Sequence, residues 1–233
     1  MHTKNSHSNW NLLINDHKNI ASYNMALDET LLQNYTDTPI LRFYTWQSKC
    51  YTFGYSQRVN KYKAKWQDEK LEAIRRPTGG GIVKHEQDIS YSIICPVDYN
   101  EYTQDLDVSY KYFHECIIEG LKKMNIEAEL KTDTVKKESK NYFCFESPVL
   151  SDIFYRGKKI VGSAQKRVSG LILQQGSIFL PHVEDLEYNA LTDGFKNRMN
   201  ISFDSYVLDH KMQQLVEKLN ESKYKKEEWN FKY

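Results

Sequence analysis

The chain has almost no net charge, little cysteine and no long apolar run, and each shortage removes a class of function. Across 233 residues, 32 lysines and arginines are balanced by 31 aspartates and glutamates, for a net charge of +1. That balance provides none of the electrostatic footprint on which nucleic-acid binding depends, so any partner must be recognised locally. The four cysteines, Cys50, Cys95, Cys116 and Cys144, stand far apart with no C-x-x-C pair. Neither a metal-ligand spacing nor a redox motif is present, and reduced thiols of a cytoplasmic protein fit best. Met1 to Asn9 is polar, without the apolar stretch of a signal peptide, and no later segment could span a bilayer. No internal repeat is visible. The length suits one domain over residues 1–233 with a sizeable core.

What is present is concentrated in two segments. The first is Arg75-Arg76-Pro77-Thr78-Gly79-Gly80-Gly81-Ile82-Val83-Lys84-His85. Without a Cβ, Gly79, Gly80 and Gly81 let the backbone approach a ligand and turn N–H donors toward it, while the arginines add fixed charge and planar donor forks. A glycine run alone also marks an ordinary tight turn. A solvated turn, however, has no need of Arg75, Arg76 and His85 at fixed offsets. No Gly-Lys-Ser or Gly-Lys-Thr follows, so the segment is not a P-loop. His85 has a second reading as a satisfied structural histidine, and its expected role is binding rather than proton transfer.

The second segment is Gly157-Lys158-Lys159-Ile160-Val161-Gly162-Ser163-Ala164-Gln165-Lys166-Arg167. A lysine beside small residues can reach into a cleft as a point charge, although a basic hairpin in solvent would read the same way. Between the two segments lies Cys144-Phe145-Glu146-Ser147-Pro148, where a thiol between Phe143 and Phe145 is either a nucleophile or a buried structural cysteine.

Periodicity places these segments on a scaffold. Asn11 to Asn15 reads as a strand, and Ser22 caps a helix with Met25, Ala26, Leu27, Leu31 and Leu32 on its apolar side. Asp28 and Glu29 lie early in that helix, where negative charge suits the macrodipole. Ile40 to Thr45 and Tyr51 to Phe53 are predicted as an antiparallel strand pair about a bend at Gln47 to Lys49. Asn60 to Leu71 reads as a helix and Ala73 to Arg76 as a strand. The glycine loop leads on to a further strand over Asp88 to Cys95. Ser109 to Met124 carries Phe113, Cys116, Ile117, Gly120, Leu121 and Met124 on one helical face, so Cys116 belongs to the core. Lys131 to Asn141 reads as an exposed loop. Ile153 to Tyr155 and Lys159 to Val161 form a hairpin about Arg156-Gly157-Lys158, and Leu171 to Leu180 is a strand. The tail beyond Leu186 alternates short helices with polar connections. Strands and helices without a βαβ period indicate an α+β domain with a mixed, largely antiparallel sheet flanked by helices.

Taken in order, Arg75 to His85, Gly157 to Arg167 and Gln174-Gln175-Gly176-Ser177-Ile178 resemble the motifs of the biotin/lipoate protein ligase catalytic-domain superfamily. The helix with Asn24-Met25-Ala26-Leu27-Asp28-Glu29 and the ending Glu227-Glu228-Trp229-Asn230 extend the resemblance over nearly the whole chain. The Gly-Ser-Ala-Gln run and the segment around Cys144 match the lipoate side of the superfamily, closest to the cysteine-dependent octanoyltransferases.

The resemblance implies a biotin/lipoate protein ligase-like fold without the accessory C-terminal domain of many ligases. It implies transfer of an octanoyl or lipoyl group to the acceptor lysine of a lipoyl domain, in a 2-oxoacid dehydrogenase E2 or the glycine-cleavage H protein. In the transferase branch, octanoyl comes from acyl carrier protein through a Cys144 thioester and no cofactor is needed. In the ligase branch, free lipoate or octanoate is activated with ATP and Mg. A noncatalytic acyl-binding module is the reading from another class. Carried over residue by residue, Cys144 is the nucleophile and Lys159 the contact to the acyl carbonyl. Arg76, Gly79, Gly80, Gly81, His85, Gly162, Ser163 and Ala164 line the acyl site. One position departs from the pattern: Gln175 stands where both branches usually have histidine, and glutamine cannot titrate.

Overall fold

The computed structural model describes residues 9–15, 18–131, 151–180 and 187–233. Its strands are β1 (Asn9–Ile14), β2 (Ile40–Tyr44), β3 (Cys50–Phe53), β4 (Glu72–Arg75), β5 (Ile82–His85), β6 (Ile89–Pro96), β7 (Glu129–Leu130), β8 (Ile153–Tyr155), β9 (Lys158–Val168), β10 (Leu171–Ile178) and β11 (Ser202–Ser205). Its α-helices are α1 (Ala21–Gln33), α2 (Asn60–Asp68), α3 (Leu106–Lys123), α4 (Tyr188–Met199), α5 (His210–Leu219) and α6 (Glu227–Asn230), with a π-helical turn at Asn220–Tyr224.

The strands form an eight-stranded sheet in the order β11-β1-β2-β6-β10-β9-β8-β7 and a three-stranded sheet in the order β4-β3-β5. In the large sheet β1 runs parallel to β2 and β11, and every pairing from β2 to β7 is antiparallel. Both faces of the large sheet are covered, which explains why β6 is buried almost throughout. Ile89, Tyr91 and Ile93 join Phe113, Cys116 and Ile117 of α3 and Leu191 and Phe195 of α4 in one core. Ile94 and Leu173 meet Met25, Leu27 and Leu31 of α1 in a second. The alternation read from Ile89 to Ile94 therefore sorts residues between two covered faces, with Ser90 and Ser92 on the α1 side.

Three features differ from the sequence reading. The strands β2 and β3 do not pair. All five residues of β2 are buried, and such a strand takes neighbours on both edges, here β1 and β6, while β3 starts the small sheet between β4 and β5. A strand, β5, follows the glycine loop directly, so the loop joins β4 to β5 within the small sheet. The tail contributes β11, an edge strand paired parallel to β1 at Asn9↔Ser202 through Leu12↔Ser205.

The start of α1 also differs, and this difference positions the site. The N-cap residue is Ile20, which offers no side-chain acceptor, and Ser22 lies inside the helix. The open N–H groups of Ala21 and Ser22 instead donate to the Glu72 carboxylate at 2.7 and 2.9 Å. A carboxylate from β4 thus caps α1 and binds the small sheet to the helix. Asp28 and Glu29 lie beyond the first turn and are buried, each in an ion pair. Replacing the cap, Glu72→Ala should lower unfolding free energy by about 0.5–2 kcal/mol, read as a lower midpoint in urea denaturation.

Candidate active site

The site grows from a connected set of buried polar groups beneath α1. Arg42 of β2 and Asp28 of α1, neither exposed, pair at 2.6 Å. Arg42 also donates to Asn15 Oδ1 at 2.8 Å, Asn24 Oδ1 at 2.6 Å and the Asn24 carbonyl at 3.2 Å. The Asp28 carboxylate accepts from Ser92 Oγ at 2.8 Å, Tyr44 Oη at 3.2 Å and Gln175 Nε2 at 2.7 Å. Gln175 accepts in turn from Thr78 Oγ1 at 2.8 Å, so the network reaches the glycine loop. With both ends of its amide committed, Gln175 acts as a brace between Asp28 and the loop.

A pocket lies against this network. It is lined from both sheets and from α1, by Met25, Tyr44, Trp46, Thr52, Arg76, Val83 and His85, by Ser90, by Gly162, Ser163 and Ala164, and by Gln175, Gly176 and Ser177. Five of the residues expected at the acyl site, Arg76, His85, Gly162, Ser163 and Ala164, thus come together on its wall.

The glycine loop is held from within. The Arg76 guanidinium donates through Nη2 to the carbonyls of Gly79 at 2.6 Å and Gly81 at 2.9 Å, and through Nη1 to Thr52 Oγ1 at 3.3 Å. Gly80, at φ +86°, has no room for a side chain, since a Cβ would lie 2.8 Å from Arg76 Nη2. Gly79 has open space at that position. Arg75 does not supply charge to the pocket. Its guanidinium donates to the carbonyls of Gly54, Tyr55 and Gln57 and to those of Trp229 and Asn230, and so fastens the chain's last helical turn to the small sheet. The alternation of β4 explains the split, because neighbouring residues point to opposite sides.

His85 is fixed at both nitrogens. Nδ1 lies 2.7 Å from Asp88 Oδ2 and Nε2 lies 2.8 Å from Thr52 Oγ1, with the ring stacked on Trp46 at 3.9 Å between centroids. Asp88 also accepts from Ser90 at 3.1 Å, Ser177 at 2.6 Å and Trp46 Nε1 at 3.3 Å. Burial alone would raise the Asp88 pKa. The His85 ring, by its charge and its hydrogen bond, together with donors from Ser177 and the Glu86 N–H, outweighs burial and holds the carboxyl below the ordinary aspartate range. The chain Asp88–His85–Thr52–Arg76 therefore connects the large sheet to the glycine loop.

Beside Gly162 of the pocket wall, Lys159 Nζ pairs with Asp152 Oδ2 at 2.7 Å, and the side chains are only 3% and 2% exposed. The lysine head passes over Gly162, where a Cβ would lie 2.6 Å from Lys159 Cε and 2.8 Å from Nζ. The bare Cα of Gly162, a residue of the pocket wall, thus makes space for the amine beside it. Cys144 lies outside the described residues, as does all but the first residue of the loop expected over Lys131 to Asn141. Among the described residues no group of three or more His, Cys, Asp or Glu side chains is placed to hold a metal ion, and no helix is long and apolar enough to cross a membrane.

Several partners were not picked out in the sequence. Asp152 had a usable signal, since the hairpin places Ile153 opposite Val161 and so puts Asp152 beside Gly162. Thr52, Trp46 and Asp88 had none, because they come from different strands that only the joining of two sheets brings together.

The profile of the lipoyl protein ligase A/B catalytic domain matches residues 21–222. Octanoyltransferase LipM of Lysinibacillus sphaericus is 30% identical over 269 aligned residues, covering 94% of this chain and 98% of that protein. Octanoyltransferase LipM of Anoxybacillus flavithermus is 31% identical, covering 91% and 94%. Among solved structures, a lipoate-protein ligase A bound with ATP superposes with a TM-score of 0.79 at 22% identity, over 96% of this chain and 98% of that one. The bi-partite lipoate protein ligase of Thermoplasma acidophilum gives 0.77 at 21% identity, over 97% of each. These similarities in structure establish a shared fold.

Because folding holds the Asp88 carboxyl below its ordinary range, it adds stability that is complete above the usual aspartate pKa of about 3.9. That stability is lost as the pH falls through the depressed folded value. Asp88→Asn should therefore destabilise the protein at neutral pH by about 1–3 kcal/mol and flatten the fall of stability in acid. Urea midpoints taken from pH 7 down to about 3 check both effects.

Proposed function

The chain belongs to the lipoyl protein ligase A/B catalytic-domain family, and we propose on that premise that it transfers an octanoyl group to the acceptor lysine of a lipoyl domain. The observation that carries this reading is the amine of Lys159, fixed by Asp152 and packed against Gly162, a residue of the pocket wall. Support for the octanoyl group comes from relatives named Octanoyltransferase LipM that align over more than nine-tenths of this chain. The acceptor is the lipoyl domain of a 2-oxoacid dehydrogenase E2 or the glycine-cleavage H protein, and the donor is octanoyl-acyl carrier protein.

In this reading the Cys144 thiolate attacks the thioester carbonyl of the donor. A new sulfur–carbon bond forms, the bond to the carrier sulfur breaks, and the carrier leaves as its thiolate. The acceptor lysine then attacks the Cys144 thioester, forming the amide and returning the thiol. Both steps place negative charge on the carbonyl oxygen, and a fixed cation such as Lys159 stabilises it without reorganising. The Arg76-braced glycine loop and the Gly162, Ser163 and Ala164 wall hold the acyl chain. The donor is already activated, so the transfer needs no cofactor. A ligase reaction on free lipoate would require ATP and Mg.

Intact-mass measurement after mixing the protein with octanoyl-acyl carrier protein tests the assignment. An octanoyl adduct should form without ATP and disappear in Cys144→Ser, and Lys159→Ala should abolish transfer to a lipoyl domain. Lipoate transfer that requires ATP and survives Cys144→Ser would establish the ligase reaction instead. Gly162→Ala should retain the fold and reduce transfer by about 100-fold, because its methyl group displaces the Lys159 head.

A further inference from the structure

A second histidine stands behind the same pocket wall. His114 of α3 is buried, with Nδ1 2.5 Å from the Ser151 carbonyl oxygen and Nε2 2.8 Å from Ser163 Oγ. A carbonyl cannot donate, so Nδ1 carries the hydrogen. Burial, the largest influence, holds the ring below the ordinary histidine pKa, which leaves Nε2 a lone pair to accept the Ser163 hydroxyl. One neutral ring thereby ties Ser151 to Ser163.

Those two residues flank the place where the Asp152–Lys159 pair meets Gly162 of the pocket wall. Ser151 directly precedes Asp152, and Ser163 directly follows Gly162. Ser151 sits at φ +69°, a region that residues with a side chain occupy only when their surroundings hold them there. Its N–H donates to the Lys131 carbonyl at 3.1 Å, and the Lys131 N–H returns to the Asp152 carbonyl at 2.8 Å. With the Ser151 carbonyl also held by His114, this peptide is pinned on both sides and the Asp152 carboxylate is aimed at Lys159. The contacts close a ring: His114, Ser151, Asp152, Lys159, Gly162, Ser163 and back to His114. A buried ion pair depends on such fixed geometry, because its attraction offsets desolvation only when the partners are well placed.

We propose that His114 is a positioning residue for acyl transfer, holding the Asp152–Lys159 pair against Gly162 of the pocket wall through Ser151 and Ser163. This rests on the reading of Lys159 as the charge that acts on the acyl carbonyl. The ring serves as a spacer with one donor and one acceptor on opposite sides, and the donor side is the one that sets Asp152.

The test compares octanoyl transfer by His114→Ala, His114→Asn, His114→Gln and Ser163→Ala. The Asn amide can replace the Nδ1 donor to Ser151. His114→Ala should lower kcat by about ten- to a hundredfold with KM for the acyl donor unchanged. His114→Asn should recover most of the rate, and Ser163→Ala should lose less than His114→Ala. In the wild-type chain, the ¹⁵N spectrum should show His114 protonated at Nδ1 and bare at Nε2 at neutral pH. A folded His114→Ala that transfers at the wild-type rate, a defect confined to KM, or an Asn variant no better than Ala overturns the proposal. Should His114→Ala fail to fold, the ranking of Asn above Gln decides. Should the wild-type chain transfer no octanoyl, the function reading falls, and crystal structures judge the positioning separately: an Asp152–Lys159 pair unchanged in a variant lacking the Ser151 hydrogen bond overturns it.

Discussion

The buried pair of Asp28 and Arg42 is the interaction on which the other parts of the site depend. Neither side chain is exposed, so each charge relies on the other and on neutral groups around it. Those groups come from α1 (Asn24), β2 (Tyr44), β6 (Ser92) and β10 (Gln175), together with Asn15 after β1. Removing any one of them leaves a buried charge short of partners, which ties the helix to the middle of the large sheet in one position. Through Gln175 and Thr78 the same network reaches the glycine loop. The Gln175 side of the pocket and the glycine loop are therefore tied into a single hydrogen-bonded unit.

The glycine loop reads differently in this setting. Arg76 takes two of its carbonyls, and Thr52, His85 and Asp88 hold Arg76 in turn. The loop's permissive backbone is used to fold around the guanidinium of Arg76, which itself lines the pocket. Arg75 is spent on fastening the chain's end to the small sheet. On the opposite side, a lysine and an aspartate share a buried position that exists because Gly162 lacks a side chain. One cation on the pocket wall, Arg76, is thus turned into backbone carbonyls, and a second, Lys159, is paired with a carboxylate beside Gly162 of that wall, each fixed before any ligand arrives. Preorganised charge of this kind suits a reaction that develops negative charge at a carbonyl oxygen.

Much of the scaffold was legible because its signals are local. The helical face from Phe113 to Leu121 is buried as its spacing predicts, and the Ile153–Tyr155 hairpin turns at Arg156 and Gly157 with positive φ at both. The failures share a cause. Ser22 has the right chemistry for a cap, but Glu72, fifty positions away, holds the helix N-terminus more strongly as a carboxylate. Two neighbouring strand candidates, β2 and β3, look like a hairpin until β1 and β6 claim both edges of the first. Asp28 and Glu29 read as macrodipole partners and are instead buried in ion pairs with Arg42 and Lys223.

What the sequence determined alone was the set of parts: the glycine loop after two arginines, the lysine ahead of Gly-Ser-Ala, the helix faces and the family motifs in their order. Each depends on short-range sterics or on spacing, which a chain carries with it before it folds. What only the tertiary structure decided was which groups meet. Asp152 with Lys159, His85 with Thr52 and Asp88, Gln175 with Asp28, and His114 with Ser151 and Ser163 become neighbours when two sheets and two helices exclude water around them. Buried polar atoms must then satisfy one another, and that requirement, imposed by the whole fold, selects the partners.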